Sequence, residues 1–154
     1  VRSGLDKIAE LRKAKGLEAA EDPRAVESSL VTSDLDRILG KDGKTIRGVH
    51  KYVFGRPKVK LKDHGIAVTT FSGFNTWMAF QGTMEKAAVA GDFTMLAREV
   101  TPVIKALVSQ GIEVTAVHNH MVHEEPRVFF LHYWGVGPAE DLARGLRKAL
   151  DTQE

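Results

Sequence analysis

The chain has 154 residues, 43% hydrophobic and 27% charged, with a formal net charge of +2. That is the composition of one folded domain with a sizeable core, not of a disordered segment. It contains no cysteine, which excludes disulfides, thiolate metal sites and a cysteine nucleophile. Any bound metal must therefore be held by nitrogen and oxygen. No apolar run of about 18 residues is present, so no membrane span is expected. The small charge gives no reason to expect a nucleic-acid partner. A start at Val1 rather than Met points to a trimmed or processed product. The expected protein is soluble, cytoplasmic or exported after removal of an N-terminal signal.

Residues 1–31 read as an N-terminal helical extension and linker. Leu5, Ile8, Ala9 and Leu11 make one short helical stripe, ended near Gly16, and a polar, alanine-rich stretch with Pro23 follows. Residues 32–154 read as one domain. It opens with a short helix over 33–39, with Ser33 as N-cap, Leu35, Ile38 and Leu39 as its stripe, and Gly40 as its stop. Residues 41–44 are a turn. Strands are expected at 49–55, 59–61, 66–70, 76–80 and 86–90, with turn residues at 63–65 and a loop over 71–75. Lys58, Lys60 and Lys62 alternate with Val59 and Leu61. An edge strand guarded by lysine is favoured over a polyanion surface, because no aromatic residue is interleaved on that face.

The period then becomes helical. Leu96, Val100, Val103, Ile104, Leu107 and Val108 share one face, and Gly111 ends the helix. Pro102 is either its first residue or a kink. Glu99 borders the buried stripe. Asp92, just ahead, reads as a cap or turn residue.

Residues 111–135, GIEVTAVHNHMVHEEPRVFFLHYWG, organise the rest and hold four of the six histidines. They read as strands over 112–120 and 128–134, joined by the turn His123-Glu124-Glu125-Pro126. Alternation puts Ile112, Val114, Ala116, His118 and His120 on one face of the first strand. It puts Val128, Phe130, His132 and Trp134 on one face of the second. A turn centred near Glu125 sets His118 opposite His132 and His120 opposite Phe130, with Cβ atoms about 5 Å apart. Three imidazoles then converge within reach of one ion, and neutral imidazole ligates zinc, copper, iron and nickel. The competing reading is a set of histidines that cap an apolar face and bond to backbone carbonyls. A His-x-His with a third histidine across the hairpin favours ligands. His123, in the turn, reads as solvated. Glu99 is the best carboxylate to complete the cluster, as fourth ligand or general base; its competing reading is an exposed glutamate beside Arg98. Asn119, Trp77, Phe130 and Trp134 are the expected pocket lining.

A last helix opens at Gly137-Pro138, with Leu142, Ala143, Leu146, Ala149 and Leu150 as its stripe. Glu140 and Asp141 lie at its positive end, Arg147 and Lys148 near its negative end. From residue 86 the order strand, helix, strand, strand, helix is partly ferredoxin-like. The expected class is α+β, a mainly antiparallel sheet with helices packed on one face.

His118-Asn119-His120 is three adjacent letters, not the dispersed residues of an HNH nuclease. His118-x-His120-x-x-x-Glu124 copies the first cupin motif, but a cupin needs a second histidine strand downstream, and the 19 residues after Gly135 read as a helix. No nucleophile elbow, phosphate-binding glycine loop or dinucleotide fingerprint is present.

One family resemblance rests on Gly91-Asp92, on Glu99-Val100-x-Pro102-Val103, on residues 111–120 with their His118-Asn119-His120 block, and on Glu125-Pro126-Arg127-Val128-x-x-x-His132. These residues resemble the LppY/LpqO family, bacterial proteins, some exported or lipid-anchored, without a settled activity. The resemblance covers residues 33–151 and includes Trp77-x-x-Phe80. It departs at Thr101, where the family commonly has Asn, and at Phe130 or Leu131. It implies Glu99, His118, Asn119, His120 and His132 as shared polar residues, and no reaction. The expected function is a divalent-metal site, zinc foremost, in a metal-dependent hydrolase acting on a small molecule. The alternative is a non-catalytic domain that binds or senses a small ligand in the same pocket.

Overall fold

The structure is a computed structural model that describes residues 2–15 and 27–153. In chain order the elements are α1 (Arg2–Ala14), α2 (Thr32–Leu39), β1 (Lys44–Ile46), β2 (Val49–Gly55), β3 (Lys62–Asp63) and β4 (Ile66–Ala67). Then come β5 (Asn75–Gly82), β6 (Ala87–Leu96), α3 (Val100–Ser109), β7 (Glu113–His118), β8 (Glu124–Glu125), β9 (Val128–Gly137) and α4 (Ala139–Asp151). The main sheet runs β1-β2-β5-β6-β9-β7, with every neighbouring pair antiparallel. The expected α+β class is what forms. β6, α3, β7, β9 and α4 follow the order read from the sequence, with β9 inserted between β6 and β7. The expected linker lies mostly outside the described residues.

Alternation sorts this sheet into two faces. One carries Met78, Phe80, Val89, Phe93, Met95, Leu131 and Tyr133, all buried in one core with Leu35 and Leu39 of α2, Val103 and Leu107 of α3, and Leu146 of α4. The opposite face carries Trp77, Ala90, Asp92, Phe130, His132 and Trp134. Toward one end of that face Leu61, Phe74, Leu96, Val128 and Phe130 form a smaller core, joined by Val59, Val68 and Met121. The three-stranded sheet β4-β3-β8 lies in the segments that supply it.

Several local expectations change. The helix over 32–39 has Val31, not Ser33, in the N-cap position, without a side-chain cap; Gly40 does end it in the left-handed conformation. Lys44–Ile46 is a strand rather than part of a turn, because Arg47 and Gly48 both have positive φ and close a two-residue hairpin onto β2. Residues 59–61 are not a strand, and Lys62 lies in β3, which is paired on both sides. The edge-guarding role expected for it is therefore removed. Pro102 is neither first helical residue nor kink. It sits in the first turn of α3, where its missing N–H has no helical partner to lose.

Two polar ties fix the layers. Asp36 Oδ1 of α2 accepts from Tyr52 Oη at 2.7 Å and from Gly43 N–H at 3.1 Å, and lies 3.1 Å from His50 Nε2. His50 Nδ1 in turn lies 2.7 Å from Thr45 Oγ1. Burial acts to raise the Asp36 pKa, but the bonds from Tyr52, His50 and Gly43 bring it below the usual value. Burial, with Asp36 beside it, pushes the Tyr52 hydroxyl well up. The second tie crosses the sheet at Gly91. There the Tyr133 hydroxyl reaches over the glycine to donate to Trp77 O at 3.2 Å. A Cβ on Gly91 would stand 2.1 Å from that hydroxyl oxygen and 2.2 Å from Trp77 O.

Replacing Gly91 by Ala is therefore expected to destabilise the protein by about 1–3 kcal/mol, the usual cost of overpacking a filled site. Urea unfolding of the variant measures it; an unchanged midpoint would refute the tight packing of Tyr133 on Gly91.

Candidate functional site

The candidate site is built by β6, β7 and β9 on the face opposite the helices. β7 and β9 are paired, but not in the expected register. His118 is opposite Phe130, and Ala116 is opposite His132. A bulge between Val114 and Ala116 also breaks the single face expected for β7. Val114 stands opposite Tyr133 and packs against the helix-side core, whereas Ala116 and His118 share the other face with His132. His120 lies beyond the end of β7.

His118 nevertheless lies beside each of the other two. The ring centroids of His118 and His132 are 4.6 Å apart, and those of His118 and His120 are 4.9 Å apart. His118 Nε2 and His120 Nε2 are 3.0 Å apart. Phe130 supports the group: its ring stacks on His120 at 3.5 Å with an interplanar angle of 8°. Asn119 stabilises the turn by donating from Nδ2 to Val128 O at 2.6 Å, a structural contact rather than a pocket wall. Trp134 is 43% exposed and adjoins the group two residues from His132 on the same face. His123 is exposed, as expected. It has its own neighbour, His64, at a ring distance of 4.9 Å.

The carboxylate beside the histidines is Asp92, not Glu99. Asp92 sits inside β6, directly opposite His132 on one side and Trp77 on the other. It is buried, and its Oδ1 is 3.7 Å from His132 Nδ1. The reading of Asp92 as a cap or turn residue fails because β6 continues to Leu96 instead of stopping at residue 90. The signal was available: Ala88, Ala90 and Asp92 fall on one face of a strand extended by one more turn of the pleat. Glu99 is buried too, but its oxygens face Arg56. Nη2 of that guanidinium donates to Oε1 at 2.6 Å, Nη1 donates to Oε2, and Oε2 also accepts from Leu96 N–H at 2.8 Å. Glu99 is thus neither an exposed residue beside Arg98 nor open to ligation, because a bidentate arginine already occupies it.

Electrostatically the cluster is frustrated. Burial raises the Asp92 pKa, opposed by His132 and His118 and by a backbone hydrogen bond with Leu131. Burial lowers the His120 pKa, and the neighbouring His118 and His132 lower it further. Within this cluster Asp92 Oδ1 and His118 Nδ1 are buried and have no hydrogen-bond partner among the described residues. Among the described residues, no three His, Asp or Glu side chains are close enough as they stand to enclose a metal ion.

Fold and cluster together define an α+β domain with a histidine–aspartate group on the sheet face that the helices leave free. The chain belongs to the family described as DUF1529, Domain of Unknown Function (DUF1259), whose model matches residues 33–152. No curated protein and no solved structure matches it.

Glu99→Gln is expected to cost about 3–5 kcal/mol of stability, because it removes the carboxylate that pairs with the buried Arg56 guanidinium. Chemical denaturation reads the loss; a variant as stable as the parent would show that the pair is not a structural tie.

Proposed function

We propose that this domain binds one divalent metal ion, zinc foremost, through His118, His120 and His132, with Asp92 as the adjoining carboxylate. The observation that carries the reading is the pair of buried, unpartnered atoms, Asp92 Oδ1 and His118 Nδ1, beside three grouped imidazoles. Buried polar atoms are nearly always satisfied, and exceptions gather at sites that receive something. Two further facts support it. The two Nε2 atoms, 3.0 Å apart, are near the separation of about 3.3 Å that two nitrogens have when bound tetrahedrally to one zinc at 2.0–2.1 Å. The lowered His120 pKa favours the neutral ring, the only form that ligates. At least one ring must rotate to complete the set, since the groups do not enclose an ion as they stand. The likeness to the LppY/LpqO family belongs to this proposal, because the histidines it implies are those of the cluster.

The metal-dependent hydrolase is the catalytic form of this reading. The half-exposed His132 and exposed His120 leave the group open toward solvent, which suits a site with a position for water. A carboxyl group held above its ordinary range suits a proton acceptor there. That role passes from Glu99 to Asp92. A non-catalytic ligand-binding domain would use the same ion without that proton transfer.

Titration calorimetry and elemental analysis of protein freed of metal and then supplied with zinc should give one ion per chain. His118→Ala and His132→Ala should abolish binding, and His123→Ala should not. No bound ion at stoichiometric zinc, or full binding by His118→Ala, overturns the proposal.

Asp92→Asn separates ligation from packing. A folded-state pKa raised above the unfolded value gives stability below the unfolded pKa that is lost as pH rises, so ionised Asp92 is a net cost at neutral pH. The metal-free variant should therefore be at least as stable as the parent at pH 7.5, while zinc affinity falls by about 10–100-fold. His120 has the opposite sign: its lowered pKa gives stability above about pH 6.5, lost as pH falls. Thermal melts from pH 8 to pH 5 should show that decline in the parent and less of it in His120→Ala. Lower stability of metal-free Asp92→Asn with unchanged zinc affinity would assign Asp92 a purely structural role.

A further inference from the structure

We propose a second site, independent of the histidine–aspartate cluster: a cleft for phosphate-class small anions, lined by Lys58, Lys60, Lys62, His64 and His123. It consists of two adjoining hollows. One, of about 620 Å³, lies between Lys60, Lys62 and the His64-Gly65 turn on one side and His123, Glu125 and Pro126 on the other. The next, of about 610 Å³, is bounded by Lys58, Val59, Lys60, Leu96, Arg98 and Pro126. Lys60 and Pro126 belong to both, so the two hollows adjoin along that wall.

His64 Nε2 lies 3.7 Å from Asp63 Oδ1, so the charge that the cleft offers a ligand is chiefly that of its lysines. Lys62 lies on the central strand of its small sheet, so it guards no edge. Lys58 and Lys62 have no ion pair among the described residues. Lys60 is held at the shared wall by a 3.0 Å bond from Nζ to Pro57 O. Glu125 is the one carboxylate lining the first hollow. An ammonium carries three donors and a compact charge, which match the oxygens of a phosphate group. The turn that closes the cleft adds to the case. His64 has φ 46° and Gly65 φ 81°, the conformation of a two-residue hairpin turn that favours Asn, Asp or Gly first. A histidine in the left-handed region there costs backbone energy, and in return its ring stands against His123.

The size and lining choose among anions. Either hollow is far larger than one phosphate group, so a ligand with two or more linked anionic groups fits best. Among the described residues no Phe, Tyr or Trp lines either hollow, which leaves little of the stacking surface that a nucleic-acid strand uses.

The test is calorimetric titration of the whole chain with inorganic phosphate, pyrophosphate and tripolyphosphate, with chelator present so that metal-bridged binding is excluded. Affinity should rise in that order and weaken at least tenfold between about 0.05 and 0.5 M salt, because the charges are solvent-exposed. Lys60→Gln/Lys62→Gln should lose at least tenfold in tripolyphosphate affinity, Lys62→Arg should retain most of it, and Lys105→Gln on α3 should match the parent. Lys62→Gln alone, with an unchanged melting temperature, guards against a folding defect in the double variant. His118→Ala should bind tripolyphosphate normally, so failure of the metal reading leaves this one standing. No binding at millimolar tripolyphosphate, or equal binding by the double variant, overturns the site. Duplex DNA bound more tightly than tripolyphosphate, and lost in the same variant, would also overturn it in favour of a nucleic-acid surface.

Discussion

The ladder between β6 and β9 is the constraint on which the rest of the molecule depends. Ten consecutive residues pair, from Ala87 with Gly137 to Leu96 with Val128, between the fourth and fifth strands of the sheet. Because side chains alternate, this register decides which groups enter the helix-packed core. Phe93, Leu131 and Tyr133 go in; Asp92 and His132 come out on the other face, directly opposite each other. A slip of one residue would carry a carboxyl group and an imidazole into the apolar layer beneath α3 and α4, where nothing pairs with them. The same slip would leave Leu131 and Phe93 uncovered. Core packing and assembly of the polar group are thus one choice of register.

The helices were legible in the sequence because the two faces of each differ strongly. Val103 and Leu107 of α3, and Leu142, Leu146 and Leu150 of α4, recur at the helical period and are buried as that period requires. The spacing placed His118 near both His120 and His132, and the structure has those two neighbours, but not the three rings within reach of one ion that the spacing implied. The register was not legible. The connection after His118 is not a simple turn, because Glu124 and Glu125 leave the hairpin to pair with β3. That shifts His118 from His132 to Phe130. The bulge at Thr115 has no residue signature and inverts the faces on either side of it. Asp92 was hidden by Gly91, which resembles a turn signal. The glycine is there because the Tyr133 hydroxyl and Trp77 O occupy the space of a Cβ.

Glu99 shows how spacing misleads when a partner is remote in sequence. Its position at the border of the stripe left burial and exposure both open, and the structure buries it. What it meets there is Arg56, 43 residues away at the end of β2, and no periodicity in either segment announces the pair. The guanidinium also donates to Thr94 O at 3.1 Å, so one arginine satisfies the carboxylate and a strand carbonyl together. The charge of such a group is neutralised by its partner.

Two kinds of buried polar group therefore coexist in one small domain. Asp36 with Tyr52, His50 and Gly43, and Glu99 with Arg56, are saturated and tie segments together. Asp92 Oδ1 and His118 Nδ1 are buried on the uncovered face without partners. Glu124 stands between these kinds. Its side chain is fully buried, with Arg127 Nη1 3.2 Å from Oε1, yet neither oxygen has hydrogen-bond alignment. An unsatisfied buried group costs about 1–3 kcal/mol, and a fold that satisfies Asp36 and Glu99 so fully has the means to avoid that cost. The same sheet leaves Asp92 Oδ1 and His118 Nδ1 without partners beside the other two imidazoles, so what the fold completes around Asp36 and Glu99 it leaves incomplete on the face that the helices do not cover.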